Sequence, residues 1–144
     1  MNDYKFIIVP IFTLALCQII KFIVESIKTN KLDFKRLFSG SGGMPSSHTS
    51  MTTSLATMIL LNGDPKSIEF AISLVLLLIV AYDGMNVRLE TGKQAKTLNK
   101  LVDSIFKKNK YDKLKEEMGH KPKEVLFGII LGILVALFYT YVVL

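Results

Sequence analysis

The stretch Gly42-Gly43-Met44-Pro45-Ser46-Ser47-His48 holds the side chains best suited to chemistry in this chain. Two glycines and a proline read as a turn, and a hydroxyl-rich run (Thr49, Ser50, Thr52, Thr53, Ser54, Thr57) follows at once. The pattern predicts a loop tightening into a helix N-terminus. Free backbone N–H groups and the positive end of the helix dipole favour an anion there. Ser46 and Ser47 can cap the helix or donate hydroxyls to that anion. His48, in the first turn, titrates near neutrality and can give or take a proton. The plainer alternative is ordinary turn and cap chemistry beside a solvated histidine.

A second histidine, His120, stands four residues before Glu124 at the entrance to the last apolar run. Lys21 shares one face of the first apolar run with Gln18 and Glu25. It either snorkels to the headgroups with Glu25 as its i,i+4 partner or aims a cation into the bundle. Asp83 sits at the mouth of the third run, where a carboxylate is costly unless paired or wet. Arg88, five residues on, is its nearest partner, and the plainer role of that pair is to shape a glycine turn. Lys93 adds a further cation. Tyr82, Asn86 and Asn99 are further candidates whose plainer roles are at helix ends and in packing.

The elements that must position these groups are membrane helices. Half of the 144 residues are hydrophobic, and the net charge is +6. That hydrophobic share is high for a small soluble domain. A basic excess in such a chain points to cytoplasmic loops and anionic lipid, and no nucleic-acid-binding pattern is present. The lone cysteine, Cys17, excludes a disulfide within the chain and implies no cysteine metal site. The first residues carry no basic leader or small-residue cleavage site, so no cleaved signal peptide is expected.

The reading is all-α: a single membrane domain over 1–144, with about four spanning helices. The spans are 6–27, 49–61, 68–82 and 125–144, the second of them short, hydroxyl-rich and enclosed by its neighbours. Asn62-Gly63-Asp64-Pro65 is a tight turn. Amphipathic surface helices fill the 93–118 loop. Leu98, Leu101, Val102 and Ile105 fall at i, i+3, i+4 and i+7 of one, and 111–118 forms a second with Gly119 as its C′ stop. Pro122 suits the first turn of the last helix, and Gly128 with Gly132 makes a face for close helix packing.

Four spans put the loops 28–48 and 84–123 on one side, and nearly all lysines and arginines lie in them. The positive-inside rule makes that side cytoplasmic, with both termini outside a cell membrane crossed several times. His48, Arg88, Lys93, His120 and Lys21 then gather at one membrane face, as a site for a phosphorylated lipid headgroup requires.

At this point the chain resembles a known group. Pro45-Ser46-Ser47-His48 is similar to the Pro-Ser-Gly-His motif of the type 2 phosphatidic acid phosphatases and vanadium haloperoxidases, and His120-x-x-x-Glu124 is similar to their closing His-x-x-x-Asp. Several stretches together resemble the short, divergent branch of that superfamily. They are Gln18-x-x-Lys21, Gly42 to His48, Tyr82-Asp83, Val87-Arg88, Gly92-Lys93-Gln94-Ala95, Leu98-Asn99 and Gly119-His120-x-Pro122-x-Glu124-Val125. The resemblance implies a helical core and a phosphohistidine mechanism that needs no metal, with phosphate or vanadate able to occupy the site. It makes His120 the nucleophile on phosphorus, Glu124 the carboxylate that orients it, and His48 the acid that protonates the leaving oxygen. Ser46 and nearby amides would hold the phosphoryl oxygens, a task of positioning and positive charge. Ser47 stands where the motif has glycine and Glu124 where it has aspartate. The superfamily's first motif, Lys-x6-Arg-Pro, has no counterpart before Pro45, and the arginine of the last motif falls on Leu114. Arg88, Lys93 and Lys21 are the replacements expected.

Three functions follow. The first is a membrane phosphatase for a lipid phosphate or pyrophosphate, which requires His48 and His120 to converge across one phosphate, about 6–8 Å apart from hydrogen-bond lengths on either side of phosphorus. The second is a non-catalytic protein that binds phospholipid or anion. The third is a structural assembly partner using the Gly128/Gly132 face. A homodimer is expected, because a small membrane bundle often buries its polar faces by pairing.

Overall fold

The computed structural model describes residues 4–30, 43–105 and 112–143. Among these are five α-helices and no strand: α1 (Lys5–Thr29), α2 (Ser47–Asn62), α3 (Ile68–Met85), α4 (Val87–Ile105) and α5 (Pro122–Phe138). A wider π-type turn, Tyr139–Val143, continues α5. The basic residues Lys31, Lys35 and Arg36, with Gly42 and the break at 107–110, lie outside the described residues.

α2 is the hub and packs against α1, α3 and α5. Its buried side is almost all small and hydroxylated: Ser47, Thr49, Ser50, Thr53 and Ser54, with Ala56 and Met58. Most of these residues tolerate a dry interior because their hydroxyls bond back to the preceding turn, whereas Thr53 Oγ1 is buried without a hydrogen-bond partner. Ser50 Oγ donates to the Ser47 carbonyl at 3.0 Å and Thr57 Oγ1 to that of Thr53 at 2.8 Å. α5 meets this face with glycine. A Cβ on Gly132 would stand 2.5 Å from the Ser50 carbonyl oxygen, and one on Gly128 2.7 Å from that of Ser46. The two backbones therefore touch, the usual use of small residues in membrane bundles. The Gly128/Gly132 face is thus occupied by the chain's own α2.

Large apolar side chains point outward: Ile7, Ile11 and Phe12 on α1, Ile72 and Leu78 on α3, Leu126 and Leu134 on α5. Small residues inside and large aliphatics outside suit hydrocarbon as solvent. Three helices are long and apolar enough to cross a membrane, Lys5–Thr29, Ile68–Ile105 and Pro122–Val143. α2, at 16 residues, runs about 24 Å at about 1.5 Å per residue and is enclosed by the other three. The chain is a helical membrane bundle.

Two local expectations are corrected. α3 does not turn at Gly84 but runs through Met85, and helical bonding carries across Asn86 into α4. The Asn86 N–H donates to Tyr82 O at 3.0 Å, and Asn86 O accepts from the Glu90 N–H at 2.9 Å. Residues 112–118 form no helix, and Tyr111 lies outside the described residues. The 93–118 loop therefore holds α4 as its one described helix. The later segment is an irregular strap laid along α4, because α4 supplies partners that outweigh its helix propensity. Asn99 Oδ1 accepts from the Leu114 N–H, and Asn99 Nδ2 donates to the Leu114 carbonyl, each at 2.9 Å. Gly119 stops no helix; its φ of +82° lets the strap cross the backbone of Leu89 where a Cβ would collide. Leu98, Leu101 and Ile105 keep their stripe on α4 and are exposed.

Candidate functional site

Four helix ends meet at one pole, tied by backbone. The Ser46 N–H, just before α2, donates to the Glu124 carbonyl in α5 at 2.9 Å, and the His120 N–H donates to the Gly84 carbonyl in α3 at 2.8 Å. From α1, Cys17 Sγ reaches the Pro45 carbonyl at 3.4 Å and Lys21 Nζ reaches Ser47 Oγ at 3.4 Å. The C-terminal ends of α1 and α3 and the N-terminal ends of α2 and α5 therefore share this pole. A cleft of about 150 Å³ opens there, its polar lining Ser46, His48, Asp83, Arg88 and His120, its walls Ile79, Val80 and Gly84.

His120 is 8% exposed. Its Nδ1 lies 3.1 Å from Glu124 Oε2, and the same oxygen accepts the Lys121 N–H at 3.1 Å. That second bond is half of the capping box opening α5, with Pro122 in the first turn as its fixed φ predicts. Burial pushes the imidazole below its ordinary range. The hydrogen bond to Glu124 opposes the shift, and the charges of Lys21 and Arg88 reinforce it. At neutral pH the ring is therefore neutral, with Nδ1–H donating to the carboxylate and a lone pair on Nε2.

His48 is exposed in the first turn of α2 and forms part of the cleft wall. Ser46 caps α2: its Oγ accepts from the Thr49 N–H at 3.4 Å and lies 2.9 Å from Thr49 Oγ1. Arg88 Nε donates to Asp83 Oδ2 at 2.5 Å. Asp83 thus steadies Arg88, and the bond leaves the two terminal guanidinium nitrogens for another acceptor. With α2's N-terminal dipole directed at the same space, the cleft is suited to an oxyanion such as phosphate. Among the described residues no three His, Cys, Asp or Glu side chains converge as a metal's ligands would.

The cleft brings together Ser46, His48, Asp83, Arg88 and His120, with Glu124 behind the imidazole. Lys21 turns inward to Ser47, and these two form an adjoining pair outside the lining. Lys93 stands apart, in an exposed pair with Glu90 at 2.6 Å. Tyr82 is exposed, and Asn86 Nδ2 bonds the Tyr82 carbonyl at 3.1 Å, a helix-end role. Sequence reasoning missed Gly84 as part of the site. Its carbonyl accepts the His120 N–H, and the ring passes at ordinary contact distance, with Cδ2 3.6 Å from where a Cβ would stand. An isolated glycine in a helical pattern marks close approach as readily as a turn.

The chain is similar to the uncharacterized membrane protein YuiD of Bacillus subtilis (strain 168), at 38% identity over 137 residues and 86% of each chain. No solved structure matches it significantly. A family model described as the Divergent PAP2 family matches residues 2–135, which include every residue of the cleft, and this chain belongs to that family.

Proposed function

We propose that the chain is a membrane phosphatase that hydrolyses a lipid phosphate or pyrophosphate through a phosphohistidine intermediate. The observation that carries this reading is the buried His120 imidazole, held through Nδ1 by Glu124, in one cleft with His48 and Arg88. In the first step Nε2 of His120 forms a bond to phosphorus as the bond to the leaving oxygen breaks, and His48 gives that oxygen a proton. In the second, water attacks phosphorus and gives a proton to His48, now neutral, the N–P bond breaks, and inorganic phosphate leaves with both histidines restored. Glu124 fixes the ring and stabilises its charge as the N–P bond forms. Arg88 and the α2 dipole stabilise the equatorial oxygens. The lysine and arginine excess of the segments 28–48 and 84–123 supports a cytoplasmic face for this site by the positive-inside rule. There the apolar stripe of α4 lies on the leaflet with Lys96 and Lys100 toward water.

The test is phosphate release from a panel of lipid phosphates in detergent micelles, wild type against His120→Ala. Release by the wild type alone supports the reading, whereas equal release by both, or none from any lipid phosphate, overturns it. One observation favours the alternative of non-catalytic anion binding. Where the superfamily carries an arginine, Leu114 supplies no cation, and its backbone is held by Asn99. Stabilisation by phosphate or vanadate without turnover would mark that alternative.

A further inference from the structure

We propose that Asn99 is a positioning residue for His120, acting through the strap of residues 112–119. Asn99 is 3% exposed in the middle of α4. Its amide grips Leu114 by both backbone groups, at 2.9 Å each, and Nδ2 also meets Glu116 Oε1 at 2.9 Å. A primary amide offers one donor edge and one acceptor edge, the pattern of a peptide group. Aspartate lacks the donor and leucine lacks both. Two turns earlier on the same face, Gly92 admits the Glu116 carbonyl, which would stand 2.6 Å from an added Cβ. Gly119 then crosses the Leu89 backbone, and the His120 N–H ends the run on Gly84 O. The strap is thus pinned along α4 before it delivers the imidazole to Glu124. Glu124 on α5 holds the ring, while the strap and the His120 N–H bond to Gly84 hold the backbone that carries it.

The charged groups around the ring come from every neighbour: Glu124 of α5, Lys21 of α1, Arg88 of α4, Asp83 of α3 and His48 of α2. A strap released from α4 moves the ring relative to all of them. The kinetic arm of the test rests on the phosphatase reading; the spectroscopic arm does not. The chain has two histidines, so His48→Gln leaves His120 as the only imidazole for NMR titration in micelles. In that background Asn99→Leu and Gly92→Ala shift the His120 titration toward its ordinary midpoint. Gly92→Ala raises the helix propensity of α4 while pushing the strap outward, so unfolding of α4 cannot mimic the result. In the chain with both histidines, kcat for lipid phosphate falls at least about tenfold while KM stays within about threefold, the usual scale for a supporting hydrogen bond. An unmoved titration in both variants overturns the proposal, as does a kcat that falls only with the folded fraction. Should the wild type release no phosphate, the phosphatase reading fails and the titration alone decides the role of Asn99.

Discussion

At the pole away from the cleft, Val9, Met58 and Ala136 pack together with Phe6, Val135 and Tyr139 against them, and the Thr140 hydroxyl links the π-type turn to α2, accepting from Asn62 Nδ2 at 2.9 Å and donating weakly to Met58 Sδ at 3.8 Å. At the cleft pole the same helices are joined by hydrogen bonds from Ser46, Lys21 and His120, around a space lined by ionisable groups. The first end is closed by fit. The second is held open by a few directional bonds, and its polar groups remain in reach of a ligand. The bundle concentrates its packing where no chemistry is proposed, so stability and turnover should separate by pole.

The largest expected effect is on turnover. His120→Ala should lower phosphate release by about 10³-fold or more, roughly 4 kcal/mol of barrier, with helicity unchanged by circular dichroism. The same residue sets the pH response. Burial holds its folded pKa below the ordinary imidazole value of about 6.5, so between the two values the unfolded chain binds more protons. Its contribution to stability is complete above about pH 6.5 and declines as pH falls toward the folded value. Melting profiles between pH 5 and 8, with His120→Asn as control, check the sign. Next in size is Gly132→Ala, whose methyl group would strike Ser50 and Thr53. It should cost about 1–3 kcal/mol in thermal unfolding and loosen both poles together. Thr140→Val removes the hydroxyl's hydrogen bonds at the closed pole and should cost about 1 kcal/mol or less with turnover intact. Lys93→Ala should do least: its exposed pair with Glu90 is worth at most about 0.5 kcal/mol, and an unchanged KM would confirm that Lys93 does not replace a missing motif cation.

Much of the cleft was legible because its residues are chemically conspicuous. Ser46 and His48 announce themselves by turn and cap chemistry, and His120 with Glu124 by helical spacing ahead of an apolar run. Three of the four expected spans were legible from length and hydropathy, and the enclosure of α2 from its shortness and its hydroxyl-rich composition. What failed were judgements about glycine and about local propensity. Gly84 looked like a turn, but it lies inside a helix, and its carbonyl accepts the N–H of a residue that arrives 36 positions later. The 111–118 stretch is rich in Lys, Glu, Leu and Met, all good helix formers, yet its backbone partners lie on Asn99. Lys93 looked like a site cation because charge counts place it on the right side of the membrane. They say nothing of its direction, and its side chain turns to Glu90.

A single carboxylate oxygen, Oε2 of Glu124, both closes the opening turn of α5 and clasps His120. Orientation of the ring and the start of the helix are consequently one structural event, and neither can slip without disturbing the other. Aspartate here, one methylene shorter, would have to give up one of the two partners. The longer arm lets one side chain serve as hinge pin for both.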